Sequence, residues 1–446
     1  MELRGVAIVV PNLDALGGME RQAKLLADHL GARGIPVTIV TTSLEPSFAL
    51  VPRTIRPCRE RRGPIEIIRA PVFANWTPAL GRRLADVVAL WSLVRRRKRI
   101  GVIYAVQFTG VRHAAIAARV TGLPVAMKFA CAGEYGDFAL LAKESEADEI
   151  RGALGRVDRY VIISNEIEKE AEAAGLDPER FVRIRNGVDA KRFSPEGPRA
   201  TLAGFEGRPV VLFVGRLDEQ KRVGLLVRAF ARVIVQAPEA RLAVAGSGPA
   251  LDECRALAQT LGIADRVAFL GARADVEALQ RAASVFVLPS VSEGIPNALL
   301  EALACGTPCV ATDIPGTRDL VAHEREALLV PVDDVDALAG AIVRLLRDRE
   351  LSMRLVAAGR ARIESEFEIE RVAEQYAALF SELAATPPRG ASDLAIELRF
   401  ARALLSRIAP LLLEIARIQA RDAVTTVVVT IKRWLGIEGD MRARLR

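Results

Sequence analysis

The chain has 446 residues, 51% of them hydrophobic and 26% charged, with a net charge of +7. That balance excludes a disordered chain and is enough for two large cores with an appendage. The positive charge predicts an anionic partner. With only 5% aromatic residues and no nucleic-acid-binding signature, nucleotide phosphates or anionic lipid are expected and nucleic acid is not.

Short apolar runs alternate with helical patterns along the first half. Val6–Val10 reads as a strand and Met19–Gly31 as a helix. Val37–Val40, Ile65–Ile68, Val102–Ala105, Val125–Phe129, Tyr160–Ile163 and Phe181–Ile184 read as further strands. β-Branched runs of this length, spaced by helices, predict a parallel sheet covered on both faces. From Asp189 to Pro209 the sequence turns polar, with three prolines and three glycines, as in an interdomain linker. The alternation then restarts. Pro209–Val214, Arg241–Ala245, Val267–Leu270, Ala283–Leu288 and Pro308–Thr312 are predicted strands; Gln220–Val235 and Leu251–Leu261 are predicted helices. Ala337–Leu383 is helical throughout, and Thr386–Gly390 breaks the pattern. The expected fold class is α/β, with two Rossmann-like parallel-sheet domains facing a cleft and a helical C-terminal tail. The expected boundaries are 1–188 for the first domain, 189–208 for the linker and 209–365 for the second domain. A helix over 366–385 returns to the first domain, and 386–446 is a basic amphipathic tail.

The five cysteines, Cys58, Cys131, Cys254, Cys305 and Cys309, show neither a disulfide framework nor CxxC spacing, which suggests a reducing cytoplasm. A strand beginning a few residues after Met1 leaves no room for a signal peptide. No apolar run approaches the ~20 residues of a membrane span.

"PSVSEGIPNALLEALACGTPCVATD" (289–313) places Glu293 in a Gly/Pro loop and Glu301 in the helix behind it. Pro296 suits the first position of that helix, whose N–H groups and positive dipole end form an anion site. Asn297 and Glu301 share a face. One carboxylate can meet a sugar near the anion, and the other a group set further back. In the plainer reading, Glu293 is a solvated loop residue and Glu301 a helix-face ion-pair partner. "VGRLDEQKR" (214–222) puts Gly215 and Arg216 at a strand end and Lys221 in the next helix's first turn. A cation there opposes the dipole, which suggests an anionic ligand. "AGSGP" (245–249) contains Gly246 in a second Gly turn. "LGGMERQ" (16–22) gives a third, with Gly17 and Gly18 leaving the backbone open to a phosphate.

Together with "RNGVDAKRF" (185–193) and "ALLVPVDDVDAL" (327–338), these segments resemble the retaining GT-B glycosyltransferases of glycosyltransferase family 4, over nearly the whole chain up to about Leu383. The resemblance implies that Arg216 and Lys221 bind the diphosphate and stabilise the leaving nucleotide, and that Glu293 faces the donor sugar. By the same resemblance, Glu301 holds the ribose hydroxyls and Gly294, Ile295 and Asn297 contact sugar or phosphate. Gly17 and Gly18 close over the diphosphate, Gly246 belongs to the donor site, and Arg273 lies where the base packs. The donor would be a UDP- or GDP-sugar, with no cofactor and no metal. The one Asp-x-Asp, Asp334-Val-Asp336, reads as a helix N-cap. Many relatives carry a histidine after the strand that ends here at Lys128–Phe129, and this chain has none there. Lys128, Glu134, Asp137 and Asn186 are the acceptor-side candidates, with ordinary surface charge as the alternative for Lys128, Glu134 and Asp137. His113, in an Ala-rich helix, is read as a packed or surface residue.

Arg82–Arg99 reads as an apolar, Trp-bearing helix ending in five consecutive cations, a surface suited to anionic lipid. From Ala391 the tail holds ten Lys/Arg and six Asp/Glu. It reads as an interfacial anchor, ahead of a self-association helix or a cap on the first domain. The expected function is retaining transfer of a hexose to a lipid-linked or polysaccharide acceptor, by a cytoplasmic protein peripheral at the inner face of the cell membrane. The rivals are a GT-B sugar-nucleotide epimerase, a phosphorylase and a non-catalytic nucleotide-binding scaffold.

Overall fold

A computed structural model describes residues 3–11, 13, 17–41, 59–69, 78–144 and 147–386. The basic tail from 387 onward and Cys58 lie outside the described residues. Among the described residues there are two sheets, and the first has eight strands, in the order β3-β4-β2-β1-β5-β6-β7-β8. These are β1 Val6–Val10, β2 Val37–Thr41, β3 Arg59–Arg62, β4 Ile65–Arg69, β5 Val102–Val106, β6 Val125–Lys128, β7 Arg159–Ile162 and β8 Phe181–Arg183. The second has six strands, in the order β11-β10-β9-β12-β13-β14. These are β9 Val210–Val214, β10 Arg241–Ala245, β11 Val267–Gly271, β12 Val285–Leu288, β13 Cys309–Thr312 and β14 Leu328–Val330.

Alternation along single strands shows why both faces are apolar. Val6, Ile8 and Val10 of β1 join one buried cluster, and Ala7 and Val9 join another on the opposite face. In β9, Val211 and Phe213 divide from Leu212 and Val214 in the same way. Each large side chain fully buried like this contributes roughly 1.5–3 kcal/mol. In each sheet the strand order reverses beside its first strand, β1 or β9. Such switch points open a crevice at the carboxyl ends of the strands. The glycine pair follows β1, Arg216 follows β9 and Glu293 follows β12.

One strand departs from the expected parallel pattern. β3, Arg-Glu-Arg-Arg, pairs antiparallel with β4 at the sheet edge. It has no apolar period to reveal it. Its charges are held by ion pairs instead: Arg69–Glu60 at 2.9 Å and Arg59–Glu66 at 2.5 Å. Charged edges of this kind resist pairing with other chains.

The apolar helix before residue 99 is not an open lipid-facing surface in its described part. Val87, Val88, Ala89, Leu90, Leu93 and Val94 are all buried in the core of the first domain, and Trp91 is half-buried. Arg96 gives two hydrogen bonds to Glu66, at 2.8 and 3.0 Å, and they hold that carboxyl down at about 2. Arg97 and Lys98 also have partners. No helix among the described residues is long and apolar enough to cross a membrane.

The chain passes between the sheets at two places that bond to each other. Val188 N–H donates to Phe367 O at 2.8 Å, and Ile369 N–H donates to Val188 O at 3.0 Å. A π-helical turn, Ile363–Phe367, precedes the second crossing. The helix Ile369–Ala385 then packs on the first sheet, where Tyr376 and Phe380 meet Tyr104 and the two tyrosine hydroxyls are 2.9 Å apart. Asp334 caps the helix Val335–Arg347, accepting from Ala337 N–H at 2.9 Å. Asp334→Ala is expected to cost about 1 kcal/mol. A lower urea midpoint with an unchanged m-value would check this.

Candidate active site

The strand ends of the second sheet carry the cations. After β9, Asp218 caps a 3-10 turn, Glu219–Lys221, by accepting from Lys221 N–H at 3.1 Å. Arg222 then takes a left-handed conformation (φ 49°), and the helix starts only at Val223. Lys221 was expected inside that helix; the separate turn aims it elsewhere. Its Nζ pairs with Glu293, and both side chains are largely buried. Arg216 is about half exposed at the cleft mouth, held by Asp218 at 3.2 Å and Gln220 Oε1 at 3.1 Å. Gln220 Nε2 donates to Ser292 O at 2.8 Å, which ties this turn to the Glu293 loop.

The helix behind that loop runs Asn297–Ala304, with Pro296 as its N-cap and not its first residue. The loop presses against the first domain. A Cβ on Gly294 would lie 2.1 Å from Ala130 O, and one on Gly18 would lie 2.4 Å from Asn297 Nδ2. These glycines therefore permit close approach of the two domains. Asn186 bridges the same gap, donating to Ile295 O at 3.1 Å and Asn297 Oδ1 at 3.0 Å, and accepting from Lys128 Nζ at 2.6 Å. Lys128 ends β6 and is buried, which brings its amine down to about 7.

Glu301 lies one turn behind Asn297 and is 7% exposed. Burial raises its carboxyl, and Arg21 opposes the rise from the first domain. Arg21 Nη1 is 3.1 Å from Oε1 and 3.4 Å from Oε2. The next residue, Gln22, donates to Gly187 O at 2.7 Å and Asn297 Oδ1 at 3.0 Å. Arg21, Gln22, Gln220 and Ser292 were not singled out from the sequence. The signal for the first two was available, since they follow the glycine pair within four residues at the start of the helix that it opens.

Other expected site residues lie further off or are otherwise engaged. Gly246 has φ 149°, and a Cβ there would sit 1.8 Å from Gly215 O, so it packs one strand-end turn on another. Arg273 follows β11 and grips Asp275 with both arms, at 2.8 and 2.6 Å. Gly17 is the N-cap of the first helix. Glu134 is exposed on a short turn. Among the described residues, no three His, Cys, Asp or Glu side chains gather as a metal site.

Asp137, expected on the acceptor side, is a buried clamp. Its Oδ2 accepts from the amides of Ala130 (2.5 Å) and Cys131 (3.1 Å), and it holds the loop that meets Gly294. Burial outweighs these bonds and raises its carboxyl to about 6. A carboxyl raised in the folded state favours folding when protonated. Its contribution is therefore complete below the unfolded value near pH 4 and is lost as pH rises through about 6. The urea midpoint of wild type relative to Asp137→Asn should fall between those values and then level off. A flat difference would mean that Asp137 titrates as it does in the unfolded chain.

Two family models divide the chain. A glycosyl transferase 4-like domain matches residues 17–187, and glycosyl transferases group 1 matches residues 208–348. The UDP-Gal:alpha-D-GlcNAc-diphosphoundecaprenol alpha-1,3-galactosyltransferase of Escherichia coli is 28% identical over 319 residues, 66% of this chain and 80% of that protein. Several other curated relatives are matched over only 26% to 57% of their own length. Among solved structures, the sucrose-phosphate synthase of Thermosynechococcus elongatus superposes with a TM-score of 0.71 at 24% identity, covering 85% of this chain and 99% of that one. Anabaena Alr3699/HepE in complex with UDP and glucose gives 0.68 at 19% identity, covering 85% and 100%. With both halves matched in order and two facing sheets of the GT-B fold, the chain belongs to the group 1 glycosyltransferases with a glycosyltransferase 4-like first domain.

Proposed function

We propose that the protein transfers a hexose from a UDP- or GDP-sugar, with retention and without a metal, to a lipid-linked or saccharide acceptor at the cytoplasmic face of the membrane. The observation that carries the reading is the Lys221–Glu293 pair in the loop that leads into the Asn297 helix, whose first residue lies against Gly18 of the first domain. The leaving diphosphate gains negative charge as the sugar becomes oxocarbenium-like. Lys221, Arg216 and the helix N-terminus lie where that charge develops and lower the barrier. Glu293, paired with Lys221, faces the sugar. Glu301 accepts from the ribose hydroxyls, and the planar Arg273–Asp275 pair offers a face to the base. Lys128, with its amine near neutrality, and Asn186 serve the acceptor side. The E. coli relative, whose name includes both UDP-Gal and a diphosphoundecaprenol acceptor, supports the donor and acceptor classes. UDP and glucose in the HepE complex support the donor class. The net positive tail supports the membrane location.

A thermal-shift screen of UDP, GDP, ADP and their sugar conjugates tests the reading on wild type and Glu301→Ala. Saturation at about 100 times Kd adds about 2.7 kcal/mol of stability. Stabilisation by one nucleotide series, lost in the variant, would support the donor site. No stabilisation by any of them would sink it and favour the scaffold.

A further inference from the structure

Resting on the donor-site reading above, we propose that Arg21 is a positioning residue for the nucleotide. It reaches across the cleft and fixes the Glu301 carboxylate, so that the ribose is recognised fully only when the two domains are closed. The geometry is specific. A single guanidinium nitrogen, Nη1, bridges both carboxylate oxygens at 3.1 and 3.4 Å. A carboxylate offers about four lone-pair sites, so this grip leaves acceptors for two hydroxyls. The helix that carries Arg21 is itself docked. Gln22 bonds to Asn297 and Gly187, and Gly18 lies against the Asn297 side chain. Arg21 therefore meets Glu301 only while Asn297 is also engaged.

The surroundings of Glu301 make the arginine necessary. Leu299, Leu300, Ala302, Leu303 and Ala304 around it are all buried. An unpartnered carboxylate in such a place takes up a proton, and a protonated acid is a poorer acceptor for hydroxyls. The charged groups facing it are Arg21 on the first helix, Arg192 on the segment after Val188 and Glu277 on the helix Val276–Ala282. Arg192 is engaged by Glu277 at 2.9 Å and Ala274 O at 3.1 Å. The Cys305 thiol, one turn along, is held neutral by burial. Among the described residues, Arg21 is the cation that hydrogen-bonds to Glu301.

The test compares UDP and GDP with their 2′-deoxy forms by calorimetry, on wild type, Arg21→Ala, Arg21→Lys and Glu301→Ala. Wild type should prefer the ribonucleotide by about ten-fold or more, the size of one hydrogen bond to a charged group. In Arg21→Ala that preference should shrink towards unity, and it should shrink further with falling pH than the preference of wild type does. Arg21→Lys should restore part of the preference. If Arg21→Ala binds more weakly but keeps the ribose preference of wild type at every pH, Arg21 only fastens the domains and the proposal is overturned. Failure of the donor reading looks different: wild type binds neither nucleotide, or Glu301→Ala keeps the ribose preference.

Discussion

Lys221→Ala should lower the transfer rate roughly a hundred- to a thousand-fold, the size of losing one preorganised group at a developing charge. The loss should fall on kcat more than on KM, because the charge grows only as the sugar–phosphate bond breaks. Lys221 is not a loose surface cation: Asp218 fixes its turn, and its ammonium pairs with Glu293. The variant loses the cation and also leaves a largely buried Glu293 without its partner beside the sugar. Lys221→Arg should not restore the rate, since a planar fork does not fit the place of a compact point charge. Steady-state release of the nucleotide diphosphate is the measurement. A kcat within a few-fold of wild type would place Lys221 away from the leaving group.

Gly294→Ala should also disable transfer, for a steric reason. The added methyl would lie 2.1 Å from Ala130 O and 2.9 Å from Ile163 Cδ1, across the gap between the two domains. The loop cannot retreat, because a Cβ at Gly316 would already lie 2.2 Å from Gly294 O and 2.5 Å from Glu293 O. Each domain can still fold; what is lost is their close approach. An overpacking cost of about 1–3 kcal/mol on the closed form corresponds to a drop of about five- to 150-fold. Small-angle scattering should show a larger radius of gyration, with the thermal midpoint nearly unchanged. Unchanged scattering and unchanged rate would mean that the contact does not hold in solution.

The parts of this molecule legible in its sequence are those governed by local chemistry. β1 and β9 could be read because a five-residue apolar run buried on both faces has few alternatives. Asp334 could be read as a cap because its side chain bonds an amide three residues on. Glu293 and Glu301 stood out by spacing, yet their partners did not. Lys221 is 72 residues from Glu293, and Arg21 is 280 residues from Glu301. No periodicity records such pairings. Asp137 looked like a loop charge, because burial belongs to the folded chain and not to the tripeptide around it. β3 escaped because its charged residues pair with one another and not with a core.

The paired crossings at Val188 and Phe367–Ile369 bear on how the chain emerges from the ribosome. The core under Val6, Ile8 and Tyr104 is completed by Val372, Tyr376 and Phe380. Those residues are made only after the whole second sheet, a delay of roughly ten to forty seconds at ordinary elongation rates. The second unit has no such wait, since Val211 to Leu355 supply its helix-covered core without a break. Growth from the amino terminus thus runs opposite to completion. The sheet translated first keeps one face only partly covered, by Ala23, Leu26 and Leu30 of its own first helix, until the unit translated after it has closed.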